Sequence, residues 1–267
     1  MTALSGRTES PAWPPTVPAG WSGRAFDSVA STSVVARELA EDACVDRTVV
    51  LARQQTGGRG RISRSWASPP GNLYSSVILR PPVPAARAAE LTFIAALAVH
   101  DALSAQSSRL TPTLKWPNDV LVNQRKIAGI LLECDTVADG RLAWVCMGVG
   151  INVVSHPANT ASMATDLTEA LGAPGDLQAV LTAYLTGLDH WCGTWLADGF
   201  TAVRAAWLDR AHPPGTVVHV RTGETPFTGR FETIDEHGTL VVVLDDGTQR
   251  LVAAGDVMIG GPDAAGD

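Results

Sequence analysis

The chain has 267 residues, a length that favours one main domain with a small appendage. A hydrophobic content of 45% argues against a disordered chain, and a net charge of −7 argues against general binding to nucleic acid. The four cysteines show neither CxxC pairs nor metal-ligand spacing, and the chain has no long apolar run and no secretion signal. These features predict a cytoplasmic protein with reduced cysteines and no membrane span.

The first half of the chain alternates predicted helices and strands. Residues 1–20 are rich in proline and small polar residues, which predicts a flexible segment. A helix with hydroxyl residues at its start is expected from Ser31, and a buried strand from Thr48. Glycine, serine, proline and arginine dominate residues 56–72, which predicts a long loop. A returning strand from Leu73 and a strong helix from Ala85 follow.

The second half is richer in predicted strands. Residues 113–136 are expected to form three strands with the polar sequences KWPND and NQRK at the two turns. A buried strand from Leu142 contains Gly148 and Gly150, which indicates either a bulge or a close approach by a ligand. Helices are expected over residues 176–198 and 200–211, and five short strands after His212 predict a small β-barrel. The whole pattern predicts an α+β fold.

Three arginines lie among glycines in the loop over residues 56–72. Arg59, Arg61 and Arg64 can bring guanidinium groups and backbone amides together around an anion such as phosphate or carboxylate. The spacing matches neither a P-loop nor a dinucleotide-binding fingerprint. For this loop taken alone, a solvated surface loop and a local basic patch for nucleic acid stay open as alternatives.

Lysine occurs only twice in the chain, at Lys115 and Lys126, beside 18 arginines. Chance or coding bias could explain this, but the sharper hypothesis is that both positions need a compact ammonium group. Lys115 begins the KWPND sequence, in which Pro117 fixes a turn that would also suit a plain hairpin corner. Lys126 begins an apolar strand that would bury its stem, so we expect a negative partner for it.

Four ordered motifs resemble those of the biotin–protein ligase family. The family carries a GRGRxGRxW loop, a KWPND turn, an RKxxGILxE strand and a GxGxNV strand. Here GRGRISRSW spans residues 58–66, KWPND residues 115–119, RKIAGILLE residues 125–133 and GVGINV residues 148–153. With the Ser31 and Thr32 pair and the C-terminal strands, the resemblance covers residues 21–260.

The resemblance implies an ATP-dependent biotin–[acetyl-CoA-carboxylase] ligase. Such an enzyme would convert biotin to biotinoyl-5′-AMP with release of pyrophosphate, with Mg²⁺ as cofactor. It would then transfer biotin to a lysine of a biotin carboxyl carrier domain, as a monomer or a homodimer. By the same resemblance, residues 21–212 would form a catalytic domain with a central mixed β-sheet, similar to class II aminoacyl-tRNA synthetases. Residues 213–261 would form an SH3-like β-barrel and residues 262–267 a tail.

The resemblance also assigns roles to individual residues. The catalytic residues would be Lys126, Arg61 and Lys115. Biotin would contact Ser31, Thr32, Gln55, Gly58, Arg59, Arg61, Lys126 and Gly129. ATP would contact Arg61, Arg64, Trp66, Lys115, Asn118, Asp119, Lys126 and Asn152, and Asp119 would hold the metal.

Two positions depart from the family pattern. Ser33 stands where the family has asparagine and Ser63 where it has glycine, which predicts a weaker hydrogen bond to biotin and a stiffer loop.

Three alternative functions account for the sequence less well. A lipoate or octanoate ligase or transferase would share the fold but not the KWPND and GRGR motifs. Too few residues precede Ser31 for an N-terminal DNA-binding domain, so a repressor is not expected. A binding module built on the C-terminal strands alone leaves the first two hundred residues unexplained.

Overall fold

The computed structural model describes residues 15–158, 163–222 and 225–260, which form two β-sheets and five α-helices. The strands of the larger sheet are β1 (Ser22–Val29), β2 (Thr48–Gln55), β3 (Leu73–Leu79), β4 (Thr113–Lys115), β5 (Asp119–Val122), β6 (Arg125–Thr136) and β7 (Leu142–Ile151). The strands of the smaller sheet are β8 (Val217–Arg221), β9 (Phe227–Ile234), β10 (Leu240–Val243), β11 (Gln249–Val252) and β12 (Asp256–Ile259). The helices are α1 (Thr32–Glu41), α2 (Glu90–Ser104), α3 (Leu167–Leu171), α4 (Leu177–Asp198) and α5 (Phe200–Leu208).

The larger sheet is mixed, as predicted, and its two faces pack against different helices. Its strand order is β1-β2-β3-β7-β6-β5-β4, with β1 parallel to β2 and the other neighbours antiparallel. Side chains of a strand alternate between the faces of its sheet. In β2, Val49 and Leu51 therefore join the core formed with α2, α4 and α5, whereas Val50 and Ala52 join the core formed with α1.

The same alternation places two glycines of β7 on the α1 face. Trp144 and Cys146 pack in the α1 core, and Gly148 and Gly150 continue that face along the strand. The ladders of β7 with β3 and β6 run through both glycines without a bulge, so the bulge considered from the sequence is not formed. The missing side chains instead let other side chains approach the sheet closely, because a Cβ on either glycine would lie 2.9 Å or less from a neighbouring side-chain atom.

The smaller sheet is antiparallel, with the strand order β11-β10-β9-β8-β12. Its five strands lie where the sequence predicted them, because each apolar run ends at a turn that contains glycine. Among the described residues no ladder joins β11 to β12, so the predicted barrel is seen as an open five-stranded sheet.

Two predicted helices differ in detail, and two elements were not predicted. Ser31 is the N-cap residue of α1, but its hydroxyl does not cap the helix. A short 3-10 helix at Ala85–Arg87 precedes α2, so α2 starts later than expected. Strand β1 was missed because its burial pattern does not alternate, and α3 because five residues are too few for a periodic signal.

The ends of the described chain leave some expectations untested. Residues 1–14 of the predicted flexible segment and the predicted tail over residues 262–267 lie outside the described residues. Thr16 is held by Gln178 of α4, whose side chain accepts from its N–H and donates to its carbonyl at 2.8 Å each. Within the described part of the chain, none of the helices has both the length and the apolarity needed to cross a bilayer.

Candidate active site

A cavity of about 190 Å³ opens between the N-terminus of α1, the ends of strands β2 and β4–β7, and the smaller sheet. The loop over residues 56–72 runs along it. The lining residues named by the sequence are Ser31, Thr32, Gln55, Arg59, Arg61, Arg64, Trp66, Lys115, Asn118, Asp119, Lys126 and Gly129. All three predicted catalytic residues are among them, so one cavity collects most of the predicted site.

One wall of the cavity is uncharged and consists of Ser31, Thr32, Ser33 and Gln55, here called the neutral wall. The Oε1 atom of Gln55 accepts from the backbone N–H of Thr32 at 2.8 Å and from the Thr32 hydroxyl at 3.1 Å. Ser31, Thr32 and Ser33 are all buried, although each carries a polar side chain. Buried hydroxyl groups beside a half-buried amide suit a neutral polar ligand that both donates and accepts hydrogen bonds.

A second set of lining residues is charged and is here called the charged wall: Arg59, Arg61, Lys115, Asp119 and Lys126. Asp119 lies between the two lysines, with Lys115 Nζ at 2.8 Å from Oδ2 and Lys126 Nζ at 2.5 Å from Oδ1. Burial would raise the pKa of Asp119, but the two ammonium groups outweigh it and hold that pKa below its usual range. The negative partner expected for Lys126 is therefore Asp119.

Two adjoining hairpins bring the charged wall together. Lys115 and Asp119 are directly opposite each other in the β4–β5 ladder, across the KWPND turn. The β5–β6 ladder pairs Leu121 with Lys126 after an irregularity at Val120, and this returns the second lysine to the same carboxylate. The two lysines that the chain keeps thus share one anionic partner and leave a net positive charge beside the cavity.

The arginine loop over residues 56–72 forms a small hairpin over the cavity. Gly60 N–H donates to the carbonyl of Arg64 at 2.7 Å, and the tip residues Ile62 and Ser63 have φ values of +52° and +56°. A glycine adopts such left-handed angles more easily than a serine, so Ser63 strains the tip where the family has glycine. The departure at this position falls where the backbone conformation favours glycine.

Each arginine of this loop has a partner. Arg59 lies 3.2 Å from Glu133 in the second half of β6. Arg61 donates to Asn118 Oδ1 at 3.4 Å and to the carbonyl of Gly255 at 3.3 Å. Arg64 forms an ion pair with Asp256 of β12. Two of the three arginines therefore connect the loop to the smaller sheet.

Trp66 of the arginine loop covers two glycines of the sheet. A Cβ atom on Gly150 would lie 2.6 Å from the Trp66 indole, and one on Gly129 would lie 3.0 Å from it. The Lys126 ammonium is 5.3 Å from the centre of the indole ring, within the range of a cation–π contact. The close approach predicted at the β7 glycines is thus occupied by Trp66 at Gly150.

The smaller sheet contributes lining residues that the sequence reasoning missed: Arg221, Asp256, Val257 and Met258. Lys115 Nζ donates to the carbonyl of Val257 at 3.0 Å, and Trp116 Nε1 donates to the carbonyl of Gly238 at 3.0 Å. No sequence signal could have found these two contacts, because both use main-chain carbonyls more than 100 residues away from their donors.

Two residues of the predicted site lie outside the cavity lining. Gly58 has no room for a side chain, because a Cβ there would lie 2.3 Å from the carbonyl of Trp66. Asn152 is buried, and its amide nitrogen donates to the carbonyl of Thr165 at 3.0 Å. Both residues shape the segments that carry the site, and their contacts with biotin or ATP remain predictions.

The contacts of Asp119 do not favour it as a metal ligand. Magnesium prefers oxygen ligands in octahedral geometry, and each carboxylate oxygen of Asp119 already contacts an ammonium group. The nearby amide oxygen of Asn118 accepts from Arg61. The donor set of the charged wall thus suits an anion better than a resident cation.

Comparison with known proteins identifies the family. Residues 25–152 match the model of the "Biotin/lipoate A/B protein ligase family", and residues 215–260 match the "Biotin protein ligase C terminal domain". A biotin–[acetyl-CoA-carboxylase] ligase of Paracoccus denitrificans is 39% identical over 220 residues, which cover 79% of this chain and 90% of the relative. The bifunctional ligase/repressor BirA of Bacillus spizizenii is 35% identical over 239 residues, which cover 88% of this chain and 73% of the relative.

The fold comparison agrees with the sequence comparison. The structure of a biotin protein ligase from Aquifex aeolicus in complex with biotin and ATP matches with a TM-score of 0.75 and 26% identity, over 90% of this chain and 98% of that one. Both the larger sheet with its helices and the smaller sheet therefore have counterparts in solved structures. These matches agree with the four motifs and with the cavity that collects most of the predicted site, and they show that the chain belongs to the biotin–protein ligase family.

Proposed function

We propose that this chain is an ATP-dependent biotin–protein ligase. It joins the carboxylate of biotin to the α-phosphate of ATP, which releases pyrophosphate and forms biotinoyl-5′-AMP. It then transfers the biotinoyl group to the ε-amine of a lysine on a carrier domain, and AMP leaves. The observation that carries the proposal is that Lys126 and Arg59 share one cavity with the neutral wall.

The two walls have different roles in the first step. The ureido ring of biotin, which is neutral and polar, fits the hydroxyl and amide groups of Thr32 and Gln55. The carboxylate must approach a phosphate, so two anions have to be brought together. Lys126, Lys115 and Arg61 supply the positive charge that lowers this barrier. No covalent enzyme intermediate is needed.

The second step requires that water stay away from the adenylate. The arginine loop lies over the cavity, and its Trp66 covers the strands below. A loop that contains glycines and is held by only a few ion pairs can close on an anionic intermediate and open for the carrier lysine. Gly58, Arg64, Asn118, Gly129 and Asn152 support this arrangement, as binding or positioning residues.

The proposal extends to partners, metal and location. The carrier domain belongs to acetyl-CoA carboxylase or another biotin-dependent carboxylase, and magnesium enters on the phosphates of ATP as part of the substrate. All four cysteines are free, which suits a cytoplasmic enzyme. The assembly as monomer or homodimer and the expected lack of operator binding stay predictions, to be checked by light scattering and by a DNA-binding assay at physiological salt.

Mass spectrometry of a carrier domain tests the activity. The domain is incubated with the full chain, ATP and Mg²⁺, together with biotin in one sample and lipoate or octanoate in another. We expect the mass of one biotinoyl group, with none on a carrier whose target lysine is arginine. Modification by lipoate or octanoate but not by biotin would instead favour the lipoate side of the family.

A further inference from the structure

The neutral wall rests on a buried serine that does not itself line the cavity. Ser76 of β3 is fully buried, and the alternation of β3 places it on the α1 face with Ile78. Its hydroxyl donates to Thr32 Oγ1 at 2.8 Å and lies 3.3 Å from Ser33 Oγ. Two residues of the neutral wall thus meet at one hydroxyl behind them.

The direction of each hydrogen bond on one side of Thr32 follows from the backbone. The Thr32 N–H can only donate, so the atom of the Gln55 side chain that faces it must be the oxygen. The amide nitrogen of Gln55 then points to Ser68 Oγ at 2.9 Å. Ser68 accepts that bond and donates to the carbonyl of Trp66, also at 2.9 Å. The chain of bonds therefore ends at the base of the arginine loop.

The directions of the hydrogen bonds on the other side of Thr32, toward Ser76 and Ser33, follow from this assignment. The Thr32 hydroxyl gives its single proton to Gln55 Oε1, so it must accept the proton of Ser76. Ser76 has then used its own proton, and its oxygen can only accept from Ser33. The hydroxyl groups of the series Ser33, Ser76, Thr32 are thereby all oriented, and each proton points toward the next acceptor: Ser76, Thr32 and Gln55 in turn.

We propose that Ser76 is a positioning residue for biotin, acting through Thr32 and Ser33. Because both hydroxyl protons point along the series, Thr32 and Ser33 offer lone pairs to the ligand and accept its N–H groups. This inference rests on the proposed function, since a ureido ring carries two N–H donors. It also gives Ser33 a role where the family has asparagine, as the first donor of the series.

A double-mutant cycle on biotin binding tests the proposal. Calorimetry measures the dissociation constant of biotin for the full chain, for Ser76→Ala, for Thr32→Val and for the double variant. We expect Ser76→Ala to weaken binding about tenfold, the change that ~1.4 kcal/mol produces. In the Thr32→Val background the same substitution should lose most of its effect, because the hydroxyl through which Ser76 acts on the ligand is then absent.

Kinetics separate positioning from a general loss of structure. Ser76→Ala should raise the KM for biotin and leave the KM for ATP and kcat at saturating biotin near the wild-type values. Thr48→Val is the matched control: it removes a buried hydroxyl that donates to the Val45 carbonyl at 2.7 Å, and it should leave biotin affinity unchanged. If Ser76→Ala does not fold, Ser76→Cys replaces it, because its thiol is a weaker donor of similar size.

The outcomes distinguish this proposal from the proposed function. Wild-type affinity in Ser76→Ala, or effects of Ser76→Ala and Thr32→Val that simply add, would overturn the positioning role alone. A wild-type chain that binds no biotin would overturn both. Loss of biotin affinity in Thr48→Val to the same degree would show that any buried hydroxyl has this effect, and would also overturn the role of Ser76.

Discussion

The two walls of the cavity are held in place by different forces. In the neutral wall, uncharged groups bond to one another, and the directions of these bonds are fixed by two backbone groups, the Thr32 N–H and the Trp66 carbonyl, whose polarity cannot change. In the charged wall, Asp119 balances Lys115 and Lys126, and Arg61 is satisfied by Asn118 and Gly255. The hydrogen bonds of the neutral wall are therefore oriented before a ligand binds. In the charged wall, an incoming anion can replace the present partners of the lysines and of Arg61.

This difference predicts different responses to solvent conditions. Hydrogen bonds between buried neutral groups change little with salt or with pH in the neutral range. Ion pairs weaken with salt when they are exposed and depend on the protonation of their carboxylates. Variants of the two walls should therefore separate by their salt and pH dependence as well as by the size of their effects.

Lys126→Ala should give the largest effect. It removes the cation shared by Asp119 and the reacting anions, so biotin-dependent pyrophosphate release should fall by about 10³-fold, the order seen when one electrostatic donor is removed from an active site. The exposed Arg141, which pairs with Asp139, provides Arg141→Ala as the control for loss of a positive charge. Pyrophosphate release near the wild-type rate in Lys126→Ala would assign the chemistry of the charged wall to other groups.

Asp119→Asn should destabilise the fold by about 3 kcal/mol, because it leaves two partly buried ammonium groups without a carboxylate. Since the folded-state pKa of Asp119 is lowered, its stabilisation is complete above the usual carboxyl pKa and is lost as the pH falls through the lowered value. Urea unfolding from neutral to acid pH should therefore show a smaller loss of stability in the variant than in the wild type.

The exposed carboxylate Asp139 provides the control for this measurement. Its pKa is lowered by hydrogen bonds from Arg141, but it lies on the surface, so Asp139→Asn should leave the urea midpoint almost unchanged. An equal effect in both variants would mean that Asp119 acts through overall charge and not through its two lysines.

Gln55→Leu tests the neutral wall. It leaves the Thr32 N–H and the Ser68 hydroxyl without their partner, so biotin should bind about tenfold more weakly, in line with the loss of a buried hydrogen bond. Calorimetry should find the same ratio of affinities at low and high salt. In contrast, the loss of ATP affinity in Arg61→Ala should shrink as salt is added. A salt-dependent ratio for Gln55→Leu would remove the distinction between the walls.

Arg64→Ala should have the smallest effect. Its ion pair with Asp256 is largely exposed on the arginine side, and such pairs contribute below about 1 kcal/mol. The loss of stability, measured by urea unfolding, should disappear at high salt, and Asp256→Ala should reproduce it without adding to it in the double variant. A larger, salt-independent loss would show that the contact with the smaller sheet depends on packing.

The sequence alone determined most of the helices and strands and most of the residues of the site. Apolar periodicity located β2, β3, the helices α2 and α4 and the five short C-terminal strands, because that signal is local. The rarity of lysine and the four motifs identified Lys115, Lys126 and the arginine loop, and the apolar surroundings of Lys126 called for a negative partner.

The tertiary structure alone decided which groups meet. It chose Asp119 as the shared partner of both lysines through the registers of two hairpins, and it brought Val257 and Asp256 of the smaller sheet to the cavity. It also placed Ser76 behind Thr32, across 44 positions of the chain. The physical reason is that periodicity and propensity depend on neighbours in sequence, whereas these contacts depend on how distant segments pack, which no local pattern records.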